Sequence, residues 1–257
     1  MIAIKRPKAP RSFTQSNSKV RKKQAALVLE FATRTELRDG SVSATFDGSV
    51  WSEVKSVLVA AQFGKCAFCE SSFRHVSFGD VEHFRPKGGW QQDATTPLVK
   101  PGYWWLAYDW NNYWASCQAC NQVFKKNYFP IDAGGTRARA PNHNLVAEKA
   151  MMLDPMVDQI HDHLEFREEL IFPKNGSSKG TATIMVAGLN RAELAEFRLS
   201  IWQLLSTLIG ARNRLVAAGL TTIVEDNLIK TALLPSFHYS AMARDLIARE
   251  APDLLTP

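Results

Sequence analysis

The sequence has no run of about 18 apolar residues, so it predicts no membrane-spanning helix. Residues 1–23 contain no apolar stretch of signal-peptide length, which argues against secretion. They contain eight Lys or Arg residues and no acidic residue. Pro7 and Pro10 would also interrupt the amphipathic helix of a mitochondrial presequence. We therefore expect a cytoplasmic protein with no membrane partner.

Cysteine is scarce, with four residues among 257, but these form two Cys-x-x-Cys pairs: Cys66 with Cys69, and Cys117 with Cys120. Two such pairs can supply four thiolates to one tetrahedral Zn²⁺. All four positions around the ion would then be filled, so the zinc would be structural and could not activate water. Two alternatives stay open, a redox pair in each motif and free buried cysteines. The βαβ setting of thioredoxin-type motifs is missing from the sequence.

Acidic residues are fewer than basic ones, giving a net charge of +6 and a pI of about 9.2. A basic protein attracts polyanions such as nucleic acid, although a solvated basic surface is the alternative. Three regions are expected. Residues 1–64 form an extended or loosely attached basic arm (1–17) and N-terminal helices, 65–131 a core with zinc knuckles, and 132–257 a mixed, then helical, C-terminal region packed on the core. In this last region the pattern predicts a strand pair over 164–172 and a long helix over 190–215.

An acid and a base lie side by side at Glu82 and His83. A carboxylate can hold a divalent cation, and a neutral imidazole can take a proton from water. Adjacent strand residues face opposite sides, so both reach one site only where the strand ends. Pro86 favours such an ending. Asp80, two residues before Glu82, can point the same way and is a further candidate metal ligand.

Amides and cations complete this candidate site. Asn121 directly follows Cys120, so a zinc knuckle would fix its position, and its amide oxygen suits a magnesium shell. Asn112 can hold a loop or orient His83 through a hydrogen bond. Four basic residues flank these segments and are candidate contacts to phosphate oxygens: Arg85, Lys87, Lys125 and Lys126.

Taken together, these segments resemble the HNH endonuclease motif: Glu82-His83-Phe-Arg-Pro, then Trp110-Asn-Asn112-Tyr, then Cys117-x-x-Cys120-Asn121 with Lys125 following. They are most similar to the HNH proteins of bacterial retron and Septu-type anti-phage defence systems. That similarity is carried by Cys66–Glu70, Val81–Lys87, Tyr103–Trp110 and Cys120–Lys125.

The resemblance implies an α+β fold in which a ββα-metal core with a four-cysteine zinc clasp is surrounded by mostly helical regions. His83 resembles the general base, and Glu82 takes the first metal-ligand position, where Asp is common. Asn112 resembles the central, orienting Asn. Asn121 takes the final position, where His is usual, which makes the chain an HNN variant. Its oxygen ligands suit Mg²⁺ or Mn²⁺.

We therefore expect a Mg²⁺- or Mn²⁺-dependent endonuclease that cuts DNA in an anti-phage defence system. Nothing in the sequence excludes RNA, including transfer RNA, as the substrate of the same fold. A non-catalytic zinc-dependent module that binds nucleic acid is the alternative without chemistry. The likeness to the Septu group also implies an ATPase subunit as a partner, docked on the N-terminal or C-terminal helices.

Overall fold

The computed structural model of the chain describes residues 1–255 and consists mostly of helices, with two small antiparallel sheets. The α-helices are α1 (Arg11–Thr14), α2 (Lys19–Thr33), α3 (Thr35–Arg38), α4 (Ser49–Ser52), α5 (Lys55–Ala61), α6 (Ile160–His163), α7 (Ser178–Val186), α8 (Ala192–Ala217), α9 (Ile223–Thr231) and α10 (Ser240–Glu250). The strands are β1 (Asp80–His83), β2 (Tyr113–Ser116), β3 (Leu164–Arg167) and β4 (Leu170–Pro173). Short 3₁₀ turns cover Trp104–Leu106, Trp110–Asn112, Lys174–Gly176 and Pro252–Leu255, and a π-helix covers Ala119–Lys125. The mixed, mostly helical character agrees with the expected α+β class.

The first residues of the chain are bound to the rest of the protein, which corrects the expectation of a loose arm. The backbone N–H of Ile4 donates to the carbonyl of Pro155 at 2.8 Å. The guanidinium of Arg6 donates to the carbonyl oxygens of Trp110, at 2.7 Å, and Tyr113, at 3.0 Å. It also lies 4.6 Å from the centre of the Trp114 ring. Arg6 therefore fastens the arm to β2 and is occupied by internal contacts.

Helix α2 has a buried apolar face and an exposed basic one. Its N-cap is Ser18, whose hydroxyl accepts a hydrogen bond from the N–H of Arg21 and so satisfies one free donor of the first turn. Leu27 and Phe31, four residues apart, lie on the same helix face and are buried. The Phe31 ring stacks on Trp104 with ring centres 3.9 Å apart. This face fixes the helix against the segment that precedes β2.

Strands β1 and β2 form the sheet on which the candidate site is built. They pair antiparallel, with Asp80 opposite Ser116 and His83 opposite Tyr113. The side chain of Gln62 satisfies the backbone of Ala115, accepting from its N–H at 2.8 Å and donating to its carbonyl at 2.7 Å. The edge of β2 is thereby covered by a buried amide. The π-helix follows directly, so the local order is strand, strand, helix.

The C-terminal part confirms two sequence predictions, the strand pair β3–β4 and the long helix α8. Helix α8 packs against α9 and α10. Its second half contributes Leu205 and Ile209 to a separate apolar cluster with α9 and α10. None of the helices in the described part of the chain combines the length and the apolar character needed to cross a bilayer.

Candidate functional site

The four cysteines converge on one point. The sulfur atoms of Cys66, Cys69, Cys117 and Cys120 all lie within 4.8 Å of one another, and those of Cys69 and Cys117 are 3.8 Å apart. Two sulfurs bound at ~2.3 Å to one tetrahedral zinc would be about 3.8 Å apart. Within residues 1–255 this is the only group of three or more His, Cys, Asp or Glu side chains whose ligand atoms come together in this way. The geometry is consistent with a zinc site and favours one shared metal over two redox pairs.

The second cysteine pair connects β2 to the π-helix. Cys117 follows the last residue of β2, and Cys120 lies in the first turn of the helix. The backbone N–H of Cys120 donates to the sulfur of Cys117 at 3.5 Å. The cluster therefore fixes where the π-helix begins and brings the next residue, Asn121, close to β1. π-Helical turns are rare and are frequent at functional sites.

His83 is the last residue of β1 and is 5% exposed. Its Nε2 lies 3.1 Å from the carbonyl oxygen of Ala107, which also accepts from the hydroxyl of Tyr113 at 2.6 Å. A carbonyl only accepts, so Nε2 carries the proton and Nδ1 keeps its lone pair. Burial, and then the charge of Lys87, lowers the pKa of His83 well below its usual value. The imidazole is therefore neutral at pH 7, as a general base requires.

Glu82 faces the π-helix and is bound by Lys125. The carboxylate lies 2.5 Å from the Lys125 ammonium, which also donates to the carbonyl of His83 at 3.2 Å. The lysine is fully buried. This placement corrects the expectation that Lys125 contacts nucleic acid, because a buried ammonium held by two internal acceptors cannot reach a phosphate. Burial raises the pKa of Glu82, and the charge of Lys125 opposes that rise.

Asn112 holds the loop that follows β1. Its Oδ1 accepts from the N–H of Arg85 at 2.8 Å, and its Nδ2 donates to the carbonyls of Arg85 and Leu106 at 2.9 and 3.2 Å. The side chain is buried; its bond to Leu106 is fully shielded from water, and its two bonds to Arg85 are partly shielded. Asn112 thereby fixes the backbone two residues beyond His83. This contact corresponds to the loop-holding possibility for Asn112.

Asn121 and Asp80 meet across the gap between the π-helix and β1. The Nδ2 of Asn121 donates to Oδ2 of Asp80 at 3.1 Å, and Nε2 of Gln122 donates to the same oxygen at 2.9 Å. An ionised carboxylate only accepts, so the amide group of Asn121 must face it and the carbonyl oxygen Oδ1 must point elsewhere. Asp80 therefore orients Asn121.

Glu82, His83 and Asn121 line one cleft of about 490 Å³. Neighbouring residues on a strand face opposite sides. Glu82 and His83 can both line this cleft because His83 is the last residue of β1. Lys87 and Lys126 contribute cations to the same cleft. Lys126 is exposed, whereas Lys87 is partly buried with its ammonium 3.4 Å from Nδ1 of His83.

Arg85 lies outside this cleft. Its Nε donates to the carboxylate of Glu148 at 2.8 Å, and Glu148 is fully buried and also accepts from the hydroxyl of Tyr103 at 2.5 Å. Arg85 lines a larger cleft of about 640 Å³ that contains neither His83 nor Glu82. The smaller cleft is the better candidate for a catalytic site, because it alone of the two combines a neutral histidine, a carboxylate and a free amide oxygen.

Trp51 is a site residue that the sequence did not indicate. Its ring meets the His83 ring edge-on with centres 4.8 Å apart, and the Lys87 ammonium lies 4.7 Å from its centre. Tyr113 contacts His83 from another side, with ring centres 5.0 Å apart. Trp51 belongs to α4, far from the motif in sequence, so no local pattern connects it to the site.

Two proteins of Bacillus mycoides (strain KBAB4) are similar to the chain. The match to "Septu protein PtuB" is 43% identical over 149 residues, covering 58% of this chain and 50% of that protein. The match to "Septu protein PtuA" is 28% identical over 140 residues, covering 54% of this chain and 19% of that protein. The chain thus spans half or less of the length of these relatives. No protein-family model matches it. At this level of identity with PtuB the chain is a homologue of Septu protein PtuB, which confirms the resemblance to the Septu group.

Proposed function

We propose that the chain is a metal-dependent HNH-type endonuclease that hydrolyses phosphodiester bonds in DNA. The observation that carries the proposal is the buried, neutral His83, whose unprotonated Nδ1 lies in one cleft with Glu82 and Asn121. The strand–strand–helix order of β1, β2 and the π-helix is that of a ββα-metal core. The similarity to PtuB supports the same conclusion.

His83 would take the proton from the attacking water. Its Nε2–H is held by the carbonyl of Ala107, which fixes the tautomer and leaves Nδ1 unprotonated, 3.4 Å from the Lys87 ammonium. Trp51 and Tyr113 hold the ring by edge-on contacts, so little reorientation is needed when the proton is transferred. Asn112 supports the base indirectly by fixing the backbone of the loop that follows it.

Glu82 and Asn121 fit a divalent cation. Both offer oxygen, the donor that Mg²⁺ and Mn²⁺ prefer, and the contact between Asp80 and the amide of Asn121 leaves Oδ1 free. When bound, such an ion would neutralise charge on the phosphate and assist the leaving oxygen. Lys125 holds the Glu82 carboxylate in place from the side opposite solvent. Asp80 acts as an orienting residue for Asn121.

The four-cysteine cluster would bind Zn²⁺ as a structural ion. Four thiolates fill a tetrahedral shell, so no position is left for water. The chemistry therefore belongs to the cleft, and the cluster connects the turn before β1 to the start of the π-helix that carries Asn121. Lys87 and Lys126 are the cations that would meet the nucleic-acid backbone at the cleft.

The homology to PtuB supports a role in a Septu-type anti-phage defence system. An ATPase subunit is the proposed partner, docked on the N-terminal or C-terminal helices. Recovery of the chain from its native host without any ATPase would contradict this assignment.

The nuclease proposal is tested with plasmid DNA and transfer RNA, with and without Mg²⁺, using the chain alone and with the product of a neighbouring ATPase gene. Asn121→Ala should abolish cleavage, because it removes a metal-binding oxygen. Gln122→Ala is the matched control, since Gln122 binds the same oxygen of Asp80 but is exposed and supplies no proposed ligand. Cleavage of RNA but not of DNA would identify RNA as the substrate. Equal cleavage by the Asn121→Ala and wild-type proteins, or no Mg²⁺-dependent cleavage in any condition, would refute the proposal.

A further inference from the structure

Arg191, the N-cap residue of α8, contacts the cysteine cluster. Its Nη1 lies 3.5 Å from the sulfur of Cys120 and 3.0 Å from the carbonyl oxygen of Gly188. Its guanidinium lies 5.4 Å from the centre of the Phe124 ring, on the π-helix. One side chain from the C-terminal region therefore touches both a cysteine sulfur and the helix that starts at the cluster.

This contact places a positive charge beside the cysteine sulfurs. Zn²⁺ bound to four thiolates would carry a net charge of minus two. The guanidinium of Arg191, with its Nη1 3.5 Å from the sulfur of Cys120, would offset part of that charge.

We propose that Arg191 belongs to the outer shell of the zinc site, where its charge offsets that of the thiolates and its side chain ties α8 to the ion. This inference rests on the zinc site proposed above. Outer-shell partners orient metal ligands and commonly change metal affinity by about 10–100-fold when they are replaced. The hydroxyl pair Ser71 and Tyr239, 2.9 Å apart, adds a second link from the cysteine turn to the start of α10. Zinc would therefore fasten the C-terminal helices to the catalytic sheet.

The test measures zinc retention. Zinc content is determined by elemental analysis, and zinc release to the chelator 4-(2-pyridylazo)resorcinol is followed by absorbance. Arg191→Gln, which removes the charge, should release zinc about tenfold faster than the wild type. Arg191→Lys, which keeps the charge, should be closer to the wild type. Arg214→Gln is the matched control, because Arg214 is exposed near the end of the same helix.

Hydrogen exchange supplies a second readout. Removal of zinc from the wild-type protein should speed amide exchange in the first turns of α8, and Arg191→Gln should do the same in the zinc-loaded protein. Unchanged zinc release by Arg191→Gln, or equally fast release by the Gln and Lys variants, would overturn the inference while leaving the nuclease proposal intact. A wild-type protein that contains and binds no zinc would overturn both this inference and the zinc site.

Discussion

Replacing Lys125 with methionine would leave the Glu82 carboxylate buried without its cation. The two side chains are fully and almost fully buried, and their charged atoms are 2.5 Å apart. Methionine keeps most of the volume, so the cavity contribution is small and the electrostatic change dominates. Breaking a buried ion pair by removing one partner typically costs about 3–5 kcal/mol. We expect a loss of about 3 kcal/mol in the free energy of unfolding at pH 8.

The loss should depend on pH. Burial already raises the pKa of Glu82 above its ordinary value, and removal of Lys125 raises it further. A carboxyl whose pKa is higher in the folded than in the unfolded state binds its proton more tightly when the protein is folded. The free energy of unfolding therefore falls as pH rises from the unfolded pKa to the folded pKa. Each pH unit in that interval costs about 1.4 kcal/mol. The variant and the wild type should therefore differ little at pH 4.5 and most at pH 8.

Urea denaturation followed by circular dichroism, in buffer without Mg²⁺, measures this difference. Lys126→Met is the matched control, because the next residue is exposed and should cost less than about 0.5 kcal/mol. Adding Glu82→Gln to Lys125→Met should restore part of the stability at pH 8, because the uncompensated charge is gone. Equal stability of Lys125→Met and the control at pH 8, or the same loss of stability at both pH values, would refute the role given to this ion pair.

Two further substitutions test the surroundings of the site. Asn112→Ala should lower the free energy of unfolding by about 2–3 kcal/mol, because it removes three hydrogen bonds of a buried side chain, one of them fully buried. Asn111 next to it is exposed, so Asn111→Ala should change the free energy of unfolding little, and thermal and urea unfolding would compare the two. Glu148→Gln should lower the free energy of unfolding by about 3 kcal/mol, because Arg85 and the hydroxyl of Tyr103 both bind this carboxylate. Equal melting temperatures of this variant and the wild type would show that the bond between Arg85 and Glu148 does not stabilise the fold.

The cysteine cluster and the site strands illustrate what the sequence can predict. The spacing of the cysteines is local information, and the convergence of both pairs followed from ligand chemistry alone. The end of β1 at His83 was indicated by Pro86. The strand pair β3–β4 and helix α8 could be predicted because their apolar periodicity is strong.

The errors concern side chains whose partners are distant in sequence. Lys125 follows a motif rich in basic residues and looked like a phosphate contact, but its direction depends on the π-helix that turns it toward Glu82. Arg6 belongs to the basic arm, but its guanidinium binds three carbonyl oxygens in and just before β2 and packs against the Trp114 ring. Trp51 contacts His83 only because α4 packs against the sheet. Charge and local pattern do not encode such contacts.

If His83 is the base of a nuclease site, its loss should slow the chemical step itself, which the rate of plasmid nicking by His83→Ala measures. The variant is compared with the wild type in Mg²⁺ after circular dichroism and zinc content show that both are folded and equally loaded. His161→Ala, at an exposed histidine, is the control. We expect His83→Ala to nick at least about 100-fold more slowly while the control keeps the wild-type rate. Nicking by folded, zinc-loaded His83→Ala at the wild-type rate would contradict it.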